Sequence, residues 1–202
     1  VNNSGTITGE TSGAYVNAGT VNNEKGANIT GGTAGVVSAA GTVNNSGTVT
    51  GQKSGAGITG AGAINNTGTI EGKELDGVEI GTSGETAALK NIVDDRGNAG
   101  QIRGKQYGIN VTAGNANITN EAGTKITGGE SGIYHKGAGT VDNTGTITGE
   151  TYHGIVMDGT SAIVNNRSGG TVTGKVSGVY AEGGTVNNSG TITGETSGAY
   201  VN

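Results

Sequence analysis

Asp94, Asp95 and Arg96 form the tightest group of ionisable residues in the chain. Two carboxylates facing one glycosidic bond is the arrangement that general acid–base hydrolysis needs. Neighbours in an extended segment point to opposite sides, so this pair does not begin from that geometry. Other acids, among them Glu10, Glu130, Glu150 and Glu195, stand singly in turn-like sequence. His135 and His153 lack the spacing of a metal pair. His135 falls at an inward slot beside Met157 of the next repeat. Gly169-Gly170 is not followed by a helical run, which a phosphate loop requires. No enzyme activity and no cofactor are expected. A polysaccharide lyase or hydrolase built on the Asp94–Asp95 loop is the third alternative.

Two other residue sets have repeating chemistry. Asn-x-Ser/Thr, the acceptor pattern for N-linked glycans, occurs at Asn2, Asn44, Asn65 and Asn187, and again at Asn28, Asn110, Asn117 and Asn166. Outward Thr pairs recur as Thr6 and Thr8, Thr48 and Thr50, Thr146 and Thr148, Thr171 and Thr173, and Thr191 and Thr193. A flat Thr-x-Thr array can hold carbohydrate or order water as ice does. Here Glu71, Gln101, Arg103 and Lys125 interrupt it. Tyr15, Tyr134, Tyr180 and Tyr200 are read as outward residues able to stack on one another or on a sugar.

These residues recur because the chain repeats. Val1 to Gly9, Val-Asn-Asn-Ser-Gly-Thr-Ile-Thr-Gly, returns in variants at Val43, Ile64 and Val141 and unchanged at Val186. Repeats begin at Val1, Val21, Val43, Ile64, Leu89, Ile118, Val141, Val164 and Val186, giving eight full rungs of 20–29 residues and part of a ninth. Each rung has three short segments: Val-x-Asn, Thr-Ile-Thr-Gly, and Gly followed by alternating residues. Apolar and polar residues alternate within them, the period of a strand with one face buried. Gly, Asn and Ser between the segments are expected to supply positive φ at sharp corners. No helical period appears.

Three strands per turn of about 22 residues predicts an all-β, parallel β-solenoid, right-handed by the rule for parallel crossovers. Eight to nine rungs span roughly 40 Å at strand spacing. Parity sends four residues per rung inward, the first from Val1 to Val186, the second from Ile7 to Ile192, the third from Ala14 to Ala199 and the fourth from Val16 through Ser38 and His135 to Ala181. Asn3, Asn23, Asn45, Asn66, Asn91, Asn120, Asn143, Asn166 and Asn188 share that parity. Stacked amides can bond from rung to rung, so this column is read as a structural Asn ladder. Two insertions, Ile92 to Asn98 and Thr82 to Thr86, are expected to protrude together as one lateral feature.

The inventory suits a thin repeated core. Of 202 residues 44 are Gly and only 36 are Ile, Val or Leu, with no Pro, Cys, Trp or Phe and a net charge of −5. Mild acidity argues against nucleic acid, which recruits basic stripes. No apolar run reaches the ~18 residues of a membrane span, and no signal peptide is visible. Residues 186–202 repeat residues 1–17, an offset of 185 residues. The chain is therefore expected to be a single solenoid segment, one period of a longer array with uncapped ends.

Asn45 to Gly51 and Asn188 to Gly194, with Gly132-Ile133-Tyr134 and Gly178-Val179-Tyr180, resemble the passenger repeats of bacterial type V secreted proteins. The likeness is to autotransporters and, more distantly, to filamentous-haemagglutinin-like adhesins. It spans essentially the whole chain. It implies a shaft or filament segment of a secreted surface adhesin or extracellular fibre, serving adhesion, biofilm or matrix. It also implies a cell-surface location and partnership with flanking repeats, with copies of itself, or with carbohydrate or a host surface. Glycan attachment is implied as a possibility by the same likeness.

Overall fold

A computed structural model describes residues 1–159 and 161–202. Among them are 25 strands and no helix. Every strand pairing is parallel, and neighbouring strands in space come from successive repeats. The Thr-Ile-Thr-Gly segments, from Thr6–Gly9 to Thr191–Thr193, form one nine-stranded sheet. The other two segments join in a sixteen-stranded sheet. They join because Val78–Asn91 and Tyr107–Asn120 each run unbroken from the third segment of one rung into the first segment of the next. The ninth rung is complete in its strands, ending with Ser197–Val201, where the repeat pattern alone gave only part of a turn.

The register is that of the expected columns. Ile64 pairs with Val43 and Leu89, Ile102 with Ile70 and Ile126, and Ile133 with Ile109 and Ile155. All of these are buried. The fourth column is buried too, including its two polar members, Ser38 and His135. A fully buried Ile or Val contributes roughly 1.5–3 kcal/mol, and a rung keeps its four only if rungs on both sides cover them. The terminal rungs show the converse, for Val1 is 66% exposed.

Two expectations are corrected. Asn and Ser do not supply positive φ, since among the described residues only Gly adopts it, at ten positions including Gly26, Gly97 and Gly123. Other glycines answer to close approach instead. At Gly132 an added Cβ would lie 2.6 Å from the Gly154 carbonyl oxygen and 2.6 Å from Ile147 Cγ2. This column, Gly13 to Gly178, is where the third segment crosses the second strand.

The second correction concerns the insertions, which leave the stack at different corners. Thr82 to Glu85 form a tight bulge between the third and first segments. Thr82 is buried, its hydroxyl donating to Glu85 O at 2.7 Å and accepting from Asn115 N at 3.2 Å. Residues 92–98 emerge after Asn91, at the corner before the second segment, closed by an antiparallel bridge between Val93 and Ala99. The straight run 87–91 separates the two by roughly 16 Å at strand rise.

Candidate functional site on the outer faces of the stack

The Asn column sits inside the wall of the stack. Asn3 Nδ2 donates to Asn23 Oδ1 at 2.8 Å, and the relay continues through Asn45, Asn66, Asn91, Asn120, Asn143 and Asn166 to Asn188, each step 2.8–2.9 Å. The second Nδ2 hydrogen meets backbone carbonyls, as Asn45 does at Thr69 O, 3.0 Å. From Asn3 to Asn166 the amides are therefore satisfied where water cannot reach them, and only Asn188, on the last rung, is exposed.

The glycan candidates form a second ladder of opposite polarity one residue earlier. Asn22 donates down to Asn2 (2.7 Å), Asn44 to Asn22 (2.8 Å) and Asn65 to Asn44 (2.9 Å). After Lys90 and Thr119 it resumes, Asn165 donating to Asp142 and Asn187 to Asn165. The amide nitrogens of Asn44, Asn65 and Asn187 are thus already donating. Asn2 and Asn187 are exposed, while Asn44 and Asn65 are half-buried. The remaining sequon residues scatter: Asn166 belongs to the inner ladder, Asn110 donates to Asp76, and Asn28 and Asn117 are exposed.

On the nine-stranded sheet Thr146 and Thr148 pair directly with Thr171 and Thr173, and these with Thr191 and Thr193, whereas Thr8 reaches Thr50 through Thr30 and Asn28 separates Thr6 from Thr48. Thr6, Thr8, Thr48 and Thr50 make one patch and Thr146, Thr148, Thr171 and Thr173 another. The interruption is real in space: Glu71 faces Arg103, and Gln101 faces Lys125, on consecutive strands. Glu71, Arg103 and Lys125, with Lys73 and Lys105, line a groove of about 710 Å³ between the two Thr patches.

Asp94 is held by its own hairpin. Its Oδ1 accepts from Arg96 N and Asn98 N at 2.9 and 2.8 Å, and its Oδ2 from Asn98 Nδ2 at 2.6 Å. The Asn98 side-chain bond, followed by that residue's backbone amide, holds the Asp94 carboxyl below its ordinary range. The hairpin leans back along the stack, where Lys25 Nζ meets Asn98 Oδ1 at 3.0 Å. These contacts make Asp94 a turn staple, while Asp95 is exposed beside it.

The two histidines face different environments. His135 is fully buried, its Nε2 3.4 Å from Ala116 O, and burial pushes its pKa down. His153 is half-exposed on the outside, and burial lowers its pKa also. No group of three possible metal ligands occurs among the described residues.

The arrangement least visible in the sequence is aromatic. Five of the six tyrosines lie between positions 107 and 200, and they gather with His153 on one outer face. Tyr107 stacks on Tyr134 at 5.2 Å between centroids, and Tyr180 stacks on Tyr200 at 5.3 Å. His153 lies 5.2 Å from Tyr180 and 6.5 Å from Tyr152. Tyr15 stands apart, 65% exposed. Between the two stacks is a recess of about 390 Å³ with Glu130, Asp158 and Glu182 at its sides. The signal that could have found it is the clustering of Tyr in one half of the chain.

No family model matches this chain, and neither the curated proteins nor the solved structures give a match.

Proposed function

We propose that the chain is a structural shaft segment of a secreted bacterial surface adhesin or extracellular fibre, carrying adhesion, biofilm or matrix functions by its shape. The observation that carries this reading is the continuity of axial bonding. Each interface between rungs is crossed by three sets of parallel strand pairings and by an Asn–Asn bond. Load along the rod is shared across the whole cross-section, as a shaft needs. Its partners are flanking repeats or further copies, and its location is extracellular. Catalysis has no part in the role.

Negative-stain electron microscopy and single-molecule pulling on the chain test the proposal. Straight rods that lengthen with added repeats and yield rung by rung at high force support it. Detachment of rungs at forces no higher than those of an ordinary globular domain overturns it.

A second reading, carbohydrate or ice binding, draws on the two Thr patches. Thermal hysteresis or glycan-array binding that Thr148→Val and Thr173→Val together remove would favour it.

A further inference from the structure

Tyr134 and Tyr180 occupy the same outward position two rungs apart, with Val156 in register between them. Each ring has an aromatic neighbour on the far side, Tyr107 for Tyr134 and Tyr200 for Tyr180, and on the near side Tyr180 is met by His153 of the intervening rung at 5.2 Å. The gap over Val156 is thus an interruption in a column of rings, bounded by Tyr134 on one side and His153 on the other. A group seated there stands one rung, roughly 4.8 Å, from the strand bearing Tyr134. That is inside the ~6 Å over which a cation is attracted to an aromatic face.

The charge around the gap has one sign. Asp158 accepts the Tyr134 hydroxyl at 2.9 Å and Glu182 the Tyr180 hydroxyl at 3.1 Å, and Glu130 adds a third carboxylate. A phenol donating to a carboxylate carries a more electron-rich ring, which strengthens its pull on a cation. No Lys or Arg lines the recess, and burial lowers the pKa of His153. The nearest cation in register is Lys136, one rung below Asp158, and it is exposed and makes no ion pair with that carboxylate. The tyrosines register the same field. Burial and then Asp158 push Tyr134 up to about 12, and the bond to Glu182 raises Tyr180. An uncharged sugar ring could stack here but would leave three carboxylates without a counter-charge. An organic cation meets both features.

We infer that this recess is a binding site for an alkylammonium group, with the Tyr134 face as its aromatic wall, His153 and the ring of Tyr180 behind it on the opposite side, and Asp158, Glu182 and Glu130 as the counter-charge.

The chain has no Trp, so tyrosine emission reports the site directly. The full chain is titrated with tetramethylammonium and with choline chloride at constant ionic strength. Controls are 3,3-dimethylbutan-1-ol, the neutral isostere of choline, and glucose. A saturable change with both ammonium ions, at least tenfold weaker with the alcohol, supports the site. Asp158→Asn with Glu182→Gln should weaken choline about tenfold with the melting curve unchanged, and Tyr180→Phe should preserve binding. Equal response to the neutral alcohol, a saturable response to glucose alone, or none to either ammonium ion overturns the inference. Co-sedimentation with phosphatidylcholine vesicles, relieved by choline, assigns a lipid source. Choline binding without sedimentation assigns a soluble one.

Discussion

The side-chain amide of Asn66 donates to the Oδ1 of Asn91 at 2.8 Å inside the wall of the stack. Asn66 also donates to Gly68 O at 3.1 Å and Gln101 O at 3.2 Å, and accepts from Asn45. The Nδ2 side of this slot meets only acceptors. Asn66→Asp places a carboxylate oxygen against three other oxygens in a site fully closed to solvent. The loss should exceed about 3 kcal/mol, the scale of a buried uncompensated charge. Asn66→Ala should cost roughly 1–3 kcal/mol, for neighbouring amides keep their backbone partners. Urea denaturation of both variants checks the order.

Two glycines separate shape from backbone freedom. Neither Gly132 nor Gly57 is among the positive-φ residues. A Cβ at Gly132 meets Gly154 O, Ile147 Cγ2 and, at 3.0 Å, Thr148 O, whereas at Gly57 it finds only Val37 Cγ2 at 3.9 Å. Gly132→Ala should therefore destabilise by about 1–3 kcal/mol, the range for overpacking. Gly57→Val, on the outer face of a strand, should stabilise by up to about 1 kcal/mol. Thermal melts of the pair decide it, and equal losses would refute the distinction.

These columns were legible because a period of two leaves no choice of face once one Ile is placed inward. Ile133, Asn91 and even His135 could be assigned by parity alone. The aromatic recess was not legible in that way. Tyr107 and His153 precede their column glycines while Tyr134 and Tyr180 follow theirs, so Tyr107 meets Tyr134, and His153 meets Tyr180, only through diagonal contacts between rungs. The hairpin at 92–98 was visible as excess length, but its lean toward Lys25, three rungs back, depends on a contact 73 residues apart in sequence. Corner chemistry was misread because Gly, Asn and Ser look alike as turn formers. Among the described residues only Gly takes the left-handed backbone.

Asp76 stands two positions before Val78, where Ser54 stands before Ala56, and it is buried. Its Oδ2 accepts from Asn110 Nδ2 at 2.9 Å and its Oδ1 has no partner. Burial, opposed by the Asn110 bond and assisted by Glu79, raises its pKa from 3.8 to about 6. Below the lower value the group is protonated in both the folded and unfolded chains. Between the two values it ionises only when unfolded, so stability falls as pH rises. Above about 6 the loss is complete. Asp76→Asn keeps an acceptor for Asn110 and removes the charge. At pH 7 it should be more stable than the parent by roughly 1–2 kcal/mol, an advantage that vanishes below about pH 4.

His135 sets the opposite slope. It lies inward between Val111 and Met157, with Nδ1 unpartnered, and burial depresses its pKa below 6.5. The stability tied to its neutral form is fully present above pH 6.5. As the pH drops below that value the unfolded chain takes up a proton first, and stability declines until the folded histidine is protonated too. The decline cannot exceed about 1.4 kcal/mol per pH unit for one proton. In the parent chain it overlaps the gain from Asp76 between pH 4 and 6, so the two partly cancel and an intact-protein profile hides both. His135→Met, which repeats the residue one rung above, removes only the histidine slope. Denaturation of this variant from pH 4 to 8 should show stability rising steadily on acidification below about pH 6, the Asp76 limb alone. Combining it with Asp76→Asn should flatten the curve across that window, and a slope surviving in the double variant would mean that other groups govern the acid response.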